Sequence, residues 1–273
     1  MARDIFQLIN ELEPQALQAV GDRLEFRGTD ATFREMREDY FDQLPLGSAR
    51  TVLDVGCGTG VEVRALLARS DFAGRVVAVD HSPALLETAR RLAVAEGLQE
   101  RVDFVVGDAH HLELLDGAFE VVIAHTLLSH VADPVTAMRE MARVTRPGGT
   151  VAVFDGDYAS WTWSHPDAAL AAAMNVGFLA AVVANPRVMR ELPFLLREVG
   201  LELVATRARV YAEIGTGSFF PAAAETYGPL IARSGAVPAA DVERWLVDLR
   251  RALNDRTFFA ACNYYACVAE RPG

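Results

Sequence analysis

Residues 51–60 read Thr-Val-Leu-Asp-Val-Gly-Cys-Gly-Thr-Gly, an apolar run that breaks into three glycines spaced two apart. A short apolar run bounded by glycine predicts a buried strand, and a helix is expected to begin near Val61. Glycines at 56, 58 and 60 remove the Cβ atoms that would hold a ligand off the backbone. The helix start offers free N–H groups beside that turn. Asp54 sits just before the turn, where it would repel a phosphate, so the pattern points to a nucleoside ligand without a pyrophosphate at this place. The spacing also excludes the dinucleotide fingerprint G-x-G-x-x-G/A, whose third position would fall on Val61 or Val63.

Two further apolar runs end in carboxylates. Arg75 to Asp80 predicts a second strand, and a carboxylate at its end is placed to accept from both hydroxyls of a ribose. Val102 to Val106 predicts a third, running into Gly107-Asp108-Ala109. Three carboxylates at three consecutive strand ends are read as one site.

The block D-x-G-x-G-x-G resembles the first motif of class I S-adenosylmethionine-dependent methyltransferases, in the small-molecule branch similar to ubiquinone-biosynthesis enzymes. The resemblance continues through Ala118–Ala124 as a fourth strand and His125-Thr126-Leu127-Leu128-Ser129-His130-Val131. Ser129 stands where that family often has the first of two histidines. Arg146-Pro147-Gly148-Gly149 looks like the turn before a fifth strand, Thr150 to Phe154, so the likeness spans about residues 50–157. It implies a Rossmann-like α/β fold: a seven-stranded, mostly parallel sheet with helices on both faces, an N-terminal helical cap and a helical insertion before the last strand. It implies S-adenosylmethionine as cofactor and S-adenosylhomocysteine as product. The cofactor contacts carried over are Asp54, Gly56, Gly58, Thr59, Gly60, Asp80, His81, Gly107, Asp108, Ala109, His125 and His130.

The rest of the chain is expected to hold selectivity within one domain, residues 1–273. Residues 1–48 predict a cap of two helices, at about 4–21 and 30–44, broken at Gly28-Thr29-Asp30. From this cap Arg27 is a candidate for the cofactor's carboxylate and Tyr40 for the pocket wall. After the cofactor half at 50–157, an aromatic loop is expected from Asp155 to Pro166. It would present Asp157, Tyr158, Trp161 and Trp163 to a planar substrate, with His165 as general base. Helices at about 167–184 and 186–199, and an insertion at 215–257 with a helix near 239–253, would complete a substrate lid.

Composition narrows the partners. The net charge is −11, and all 26 basic residues are arginine, interleaved with acids as on solvated helix faces. Nucleic-acid binding draws its affinity from concentrated basic charge, so a small-molecule substrate is expected instead. No apolar run approaches the roughly 20 residues that span a bilayer. The three cysteines form neither a disulfide framework nor a zinc spacing, and Asp155 and Asp157 alone do not make a magnesium site. The expectation is a cytoplasmic enzyme, monomeric or homodimeric, without a metal, that methylates an oxygen or nitrogen of a small aromatic or polyketide-like molecule. Two alternatives stay open: the same fold using bound cofactor for a non-methylating cyclisation or decarboxylation, and a non-catalytic cofactor-binding partner protein.

Overall fold

A computed structural model describes residues 4–273. Its seven strands are β1 (Thr51–Val55), β2 (Arg75–Asp80), β3 (Val102–Val106), β4 (Phe119–His125), β5 (Thr145–Trp163), β6 (Glu202–Gly215) and β7 (Phe258–Glu270). They form one sheet in the order β3-β2-β1-β4-β5-β7-β6. The first five run parallel, whereas β7 lies antiparallel between β5 and β6. This is the α/β, mostly parallel, Rossmann-like architecture that the resemblance implied.

The sheet is covered on both faces, which is why its central strands are apolar throughout. On β4, Val121 and Ile123 enter one hydrophobic layer while Val122 and Ala124 enter the other. The helices are α1 (Pro14–Thr29), α2 (Ala31–Phe41), α3 (Val61–Leu67), α4 (Pro83–Ala95), α5 (Pro134–Val144), α6 (Ala168–Val182), α7 (Val188–Glu198), α8 (Phe219–Ser234) and α9 (Ala239–Asn254). Side-chain caps fix several starts: Asp30 accepts from the Phe33 N–H at 3.1 Å, Ser82 from Leu85 at 3.4 Å, and Asp133 from Val135 at 3.0 Å. Among the described residues no helix is long and apolar enough to cross a membrane.

Two expectations are corrected here. The first cap helix does not start at residue 4. Residues 5–8 form a turn, Ile9–Glu11 a 3-10 turn, and α1 begins at Pro14, whose fixed φ and missing N–H suit a first helical position. Gly28 and Thr29 belong to α1, and the break falls on Asp30 alone; residues 1–3 of the cap lie outside the described residues.

The second correction concerns the aromatic loop, which is strand. β5 runs on past Phe154 because β7 lies alongside it, pairing Asp155 with Tyr265, Asp157 with Asn263 and Thr162 with Ala261. The ladder is interrupted between Asp157 and Thr162, where the Ala159 N–H donates instead to the Pro186 carbonyl at 2.9 Å, and the Trp161 and Trp163 side chains are buried. Trp163 packs edge-on against Trp245 at 4.9 Å and Phe178 at 5.5 Å, with α6 on α8 and α8 on α9 closing the layer.

Candidate active site

The order of strands reverses at β1, which has β2 on one side and β4 on the other, and ligands of open α/β sheets bind outside the carboxyl ends at such a point. A cavity of about 450 Å³ lies there, within the usual range for small-molecule sites of ~300–1,000 Å³. Its walls are the segments that leave four strands: residues 55–62 after β1, 79–81 after β2, 107–110 after β3 and 125–132 after β4. Phe6, Gln7, Ile9, Leu24 and Arg27 close it from the N-terminal side.

The glycine turn is built for close approach. Gly56 has φ +75°, and a Cβ there would lie 2.6 Å from Leu127 Cδ1. The Gly58 N–H donates to Asp80 Oδ2 at 2.8 Å, and the Ser82 N–H donates to Asp80 Oδ1 at 2.9 Å. Each carboxylate oxygen keeps a second lone pair toward the cavity. Burial raises the Asp80 pKa, and the Ser82 and Gly58 N–H bonds work against that rise.

Behind the turn lie further buried polar groups. Both oxygens of Asp54 and the hydroxyl of Thr59 are buried without a partner among the described residues. Burial, and then the charges of Glu62 and Asp80, push the Asp54 carboxyl well above its usual range. His125 is buried at the end of β4, with Nδ1 3.0 Å from the Tyr40 hydroxyl and Nε2 3.3 Å from Glu62 Oε1. Burial, then Arg27 and Arg37, hold its pKa well below the ordinary histidine value. Burial likewise raises Tyr40.

A second, smaller space of about 30 Å³ adjoins the first. Its walls are aromatic, with Tyr158, Trp161, Phe178, Phe219, Tyr227 and Tyr264 among them. The two spaces share Phe6, Leu24, Arg27 and His130 as lining residues. Arg27 has no carboxylate within salt-bridge distance among the described residues, although Phe33 lies 5.8 Å beneath its guanidinium.

The structure brings most predicted cofactor residues together. Arg27, Gly56, Gly58, Thr59, Asp80, His81, Gly107, Asp108, Ala109, His125 and His130 all line the larger cavity. Asp108 is exposed, and its Oδ1 is engaged by the His110 N–H at 2.9 Å and Nδ1 at 2.6 Å. Asp54 lies beneath the cavity, and Gly60 is the left-handed residue that starts α3; neither lines it.

The predicted substrate residues divide. Tyr158 and Trp161 face the smaller space. Tyr40 lies one layer behind, against His125. Asp157 turns away to accept from Arg190 Nε at 2.9 Å, and Trp163 is core. His165 lines neither space: its Nδ1 accepts the Asp167 N–H at 3.0 Å and its Nε2 lies 3.3 Å from Asp248. It orders the start of α6 and its contact with α9. Glu62, Leu127 and the Phe6–Ile9 segment were missed. Phe6 and Ile9 carried an apolar signal, but it read as helix. Thr126, with φ +53°, also lines the cavity, and nothing in a threonine codon announces a left-handed backbone.

Residues 53–153 match the family model described as "Methyltransferase domain". The chain is 30% identical over 244 residues to an uncharacterized 37.1 kDa protein in transposon TN4556 of Streptomyces fradiae, covering 89% of this chain and 68% of that one. It is 42% identical over 120 residues to methyltransferase GfsG of Streptomyces halstedii, covering 44% of this chain and 42% of the relative. Among solved structures, geranyl diphosphate methyltransferase in complex with SAM superposes with TM-score 0.54 at 21% identity, covering 87% of this chain and 84% of that one. The chain belongs to the class I S-adenosylmethionine-dependent methyltransferase family.

Proposed function

We propose that the protein transfers the methyl group of S-adenosylmethionine to an oxygen or nitrogen of a small aromatic or polyketide-like molecule. One observation carries this reading: a cavity at the sheet's switch point, with Asp80, Asp108 and Arg27 among its walls, shares Phe6, Leu24, Arg27 and His130 with a smaller space walled by aromatic rings. The residues present fit the cofactor. Asp80 has free lone pairs for a ribose diol, the glycine turn leaves room against the backbone, and Asp108 stands at the far rim for an adenine amino group. Glu62 favours an ammonium on one side, while Arg27 favours a carboxylate on the other, so the charges suit a zwitterionic amino-acid tail.

When bound, S-adenosylmethionine supplies a sulfonium methyl that is already electrophilic. The protein's share is then to align the acceptor and keep water out. Tyr158, Trp161 and Phe178 offer flat apolar walls in the smaller space. At about 30 Å³ this space admits little more than a water, so an aromatic acceptor needs more room than it offers as it stands.

Titration calorimetry with S-adenosylmethionine and S-adenosylhomocysteine is the first test, followed by a screen of aromatic acceptors read by S-adenosylhomocysteine release. Micromolar binding with release supports the reading. Binding with substrate turnover but no S-adenosylhomocysteine would assign a non-methylating reaction, and absence of binding would overturn the proposal.

A further inference from the structure

His130 and Asp4 form a pair that the cofactor reading leaves unexplained. His130 lines both spaces. Its Nδ1 is 2.7 Å from Asp4 Oδ2, and the Asp4 side chain is wholly buried. Asp4 is itself held, with the Phe6 N–H donating to Oδ1 at 2.8 Å and the Ala184 N–H to Oδ2 at 2.9 Å. A carboxylate so fixed accepts the hydrogen bond of Nδ1–H and leaves Nε2 as the imidazole's acceptor. No hydrogen-bond partner occupies Nε2 among the described residues, and it is not among the buried unpartnered atoms. It therefore keeps some exposure in a side chain that is otherwise nearly buried.

We propose that His130 is the general base that deprotonates a hydroxyl substrate, and that Asp4 is the positioning residue that orients it. The proposal rests on the methyl-transfer reading above and adds to it the acceptor class, an alcohol or phenol. In the step, the O–H bond breaks and its proton passes to His130 Nε2. The oxygen's electron pair forms the new bond to the methyl carbon, while the carbon–sulfur bond breaks and leaves its pair on sulfur as the thioether of S-adenosylhomocysteine.

The placement of Asp4 adds a consequence. Asp4 belongs to the segment that roofs the cavity, where Phe6, Gln7 and Ile9 line it and the Gln7 side chain donates to the His130 carbonyl at 2.8 Å. The base is therefore oriented only with the roof in place, so proton transfer and exclusion of water are set by one closure. The charged groups facing His130 agree with its role. Burial opposes its charge, but Asp4 and then Asp155 on β5 outweigh this and raise its pKa, with Arg27 on α1 acting against them.

The test uses the full chain and three phenols of graded acidity: phenol, 4-chlorophenol and 4-nitrophenol. With the wild type, release of S-adenosylhomocysteine is expected from all three. H130Q should lose at least ~100-fold on phenol and far less on 4-nitrophenol, which reaches the site already ionised. D4N should lose less than H130Q, should move the ascending limb of the pH profile to lower pH, and should be partly restored by D4E. Independently of activity, the His130 imidazole signal, assigned by its absence in H130Q, should titrate above the ordinary histidine value and fall in D4N. Equal losses on all three phenols, or an unmoved limb and imidazole titration in D4N, would overturn the proposal. D4N carries the test if H130Q does not fold. Cofactor binding without turnover of any phenol would sink the hydroxyl class alone, whereas absence of cofactor binding would sink the methyl-transfer reading itself.

Discussion

Asp80 on β2 holds the glycine turn after β1 in place by accepting the Gly58 N–H at 2.8 Å. One carboxylate thus shapes the turn and offers its remaining lone pairs to a ligand. Asp80→Ala removes both. Two charge-assisted hydrogen bonds to a ribose, at about 1.5–3 kcal/mol each, predict a loss of S-adenosylmethionine affinity of roughly 100-fold or more. Calorimetric titration of the variant checks this, and a dissociation constant within threefold of wild type would remove Asp80 from the site.

Gly56→Ala tests the close approach. The left-handed φ of +75° costs an alanine about 1–2 kcal/mol, and its Cβ would press on Leu127, which lines the cavity. Gly97 has a similar φ of +71° with nothing within 4 Å of its would-be Cβ. Gly97→Ala should therefore show the backbone cost alone in a thermal melt. Gly56→Ala should show a larger loss and weakened cofactor binding as well. Equal losses from the two substitutions would mean that Leu127 gives way freely.

The cofactor half was legible because its chemistry is local. A strand, a glycine turn and a carboxylate at the next strand end lie in short windows, and each residue type has one physical reason to stand where it does. What lay beyond Phe154 was not legible, because it depends on β7, a hundred residues later in the chain. Asp155, Gly156 and Asp157 carry the composition of a loop, yet pairing with β7 makes them strand. The same non-local pairing turned Trp163 into the core and carried His165 to the start of α6, away from the cavity. His130 was legible as a cavity residue, but not as the partner of Asp4, since nothing in a sequence links residues 126 apart.

Trp163 separates core from site. Its ring lies 5.3 Å from that of Trp161, which faces the smaller space, but it is itself sealed between Phe178 and Trp245. Trp163→Ala should cost about 3–5 kcal/mol in a urea titration and leave the S-adenosylmethionine dissociation constant within about twofold. A large loss of cofactor affinity with little loss of stability would place it in the site after all.

His125 makes the stability of the ligand-free protein depend on pH. Burial, then Arg27 and Arg37, keep its folded pKa well below the ordinary value, so it stays neutral beside Tyr40 and Glu62. The unfolded chain gains a proton at this residue below about pH 6.5, and the folded chain does not. The contribution of His125 is therefore present above that pH and declines as the pH falls, by about 1.4 kcal/mol per unit, until the folded pKa is reached. Other groups titrate in the same range; His130, with a raised pKa, contributes in the opposite sense. The clean quantity is the difference in unfolding free energy between wild type and His125→Gln. That difference should shrink by about 1 kcal/mol between pH 6.5 and pH 5.5 in denaturant titrations. A difference that stays constant or widens would mean that His125 takes up a proton in the folded state, with Glu62 as its ion-pair partner.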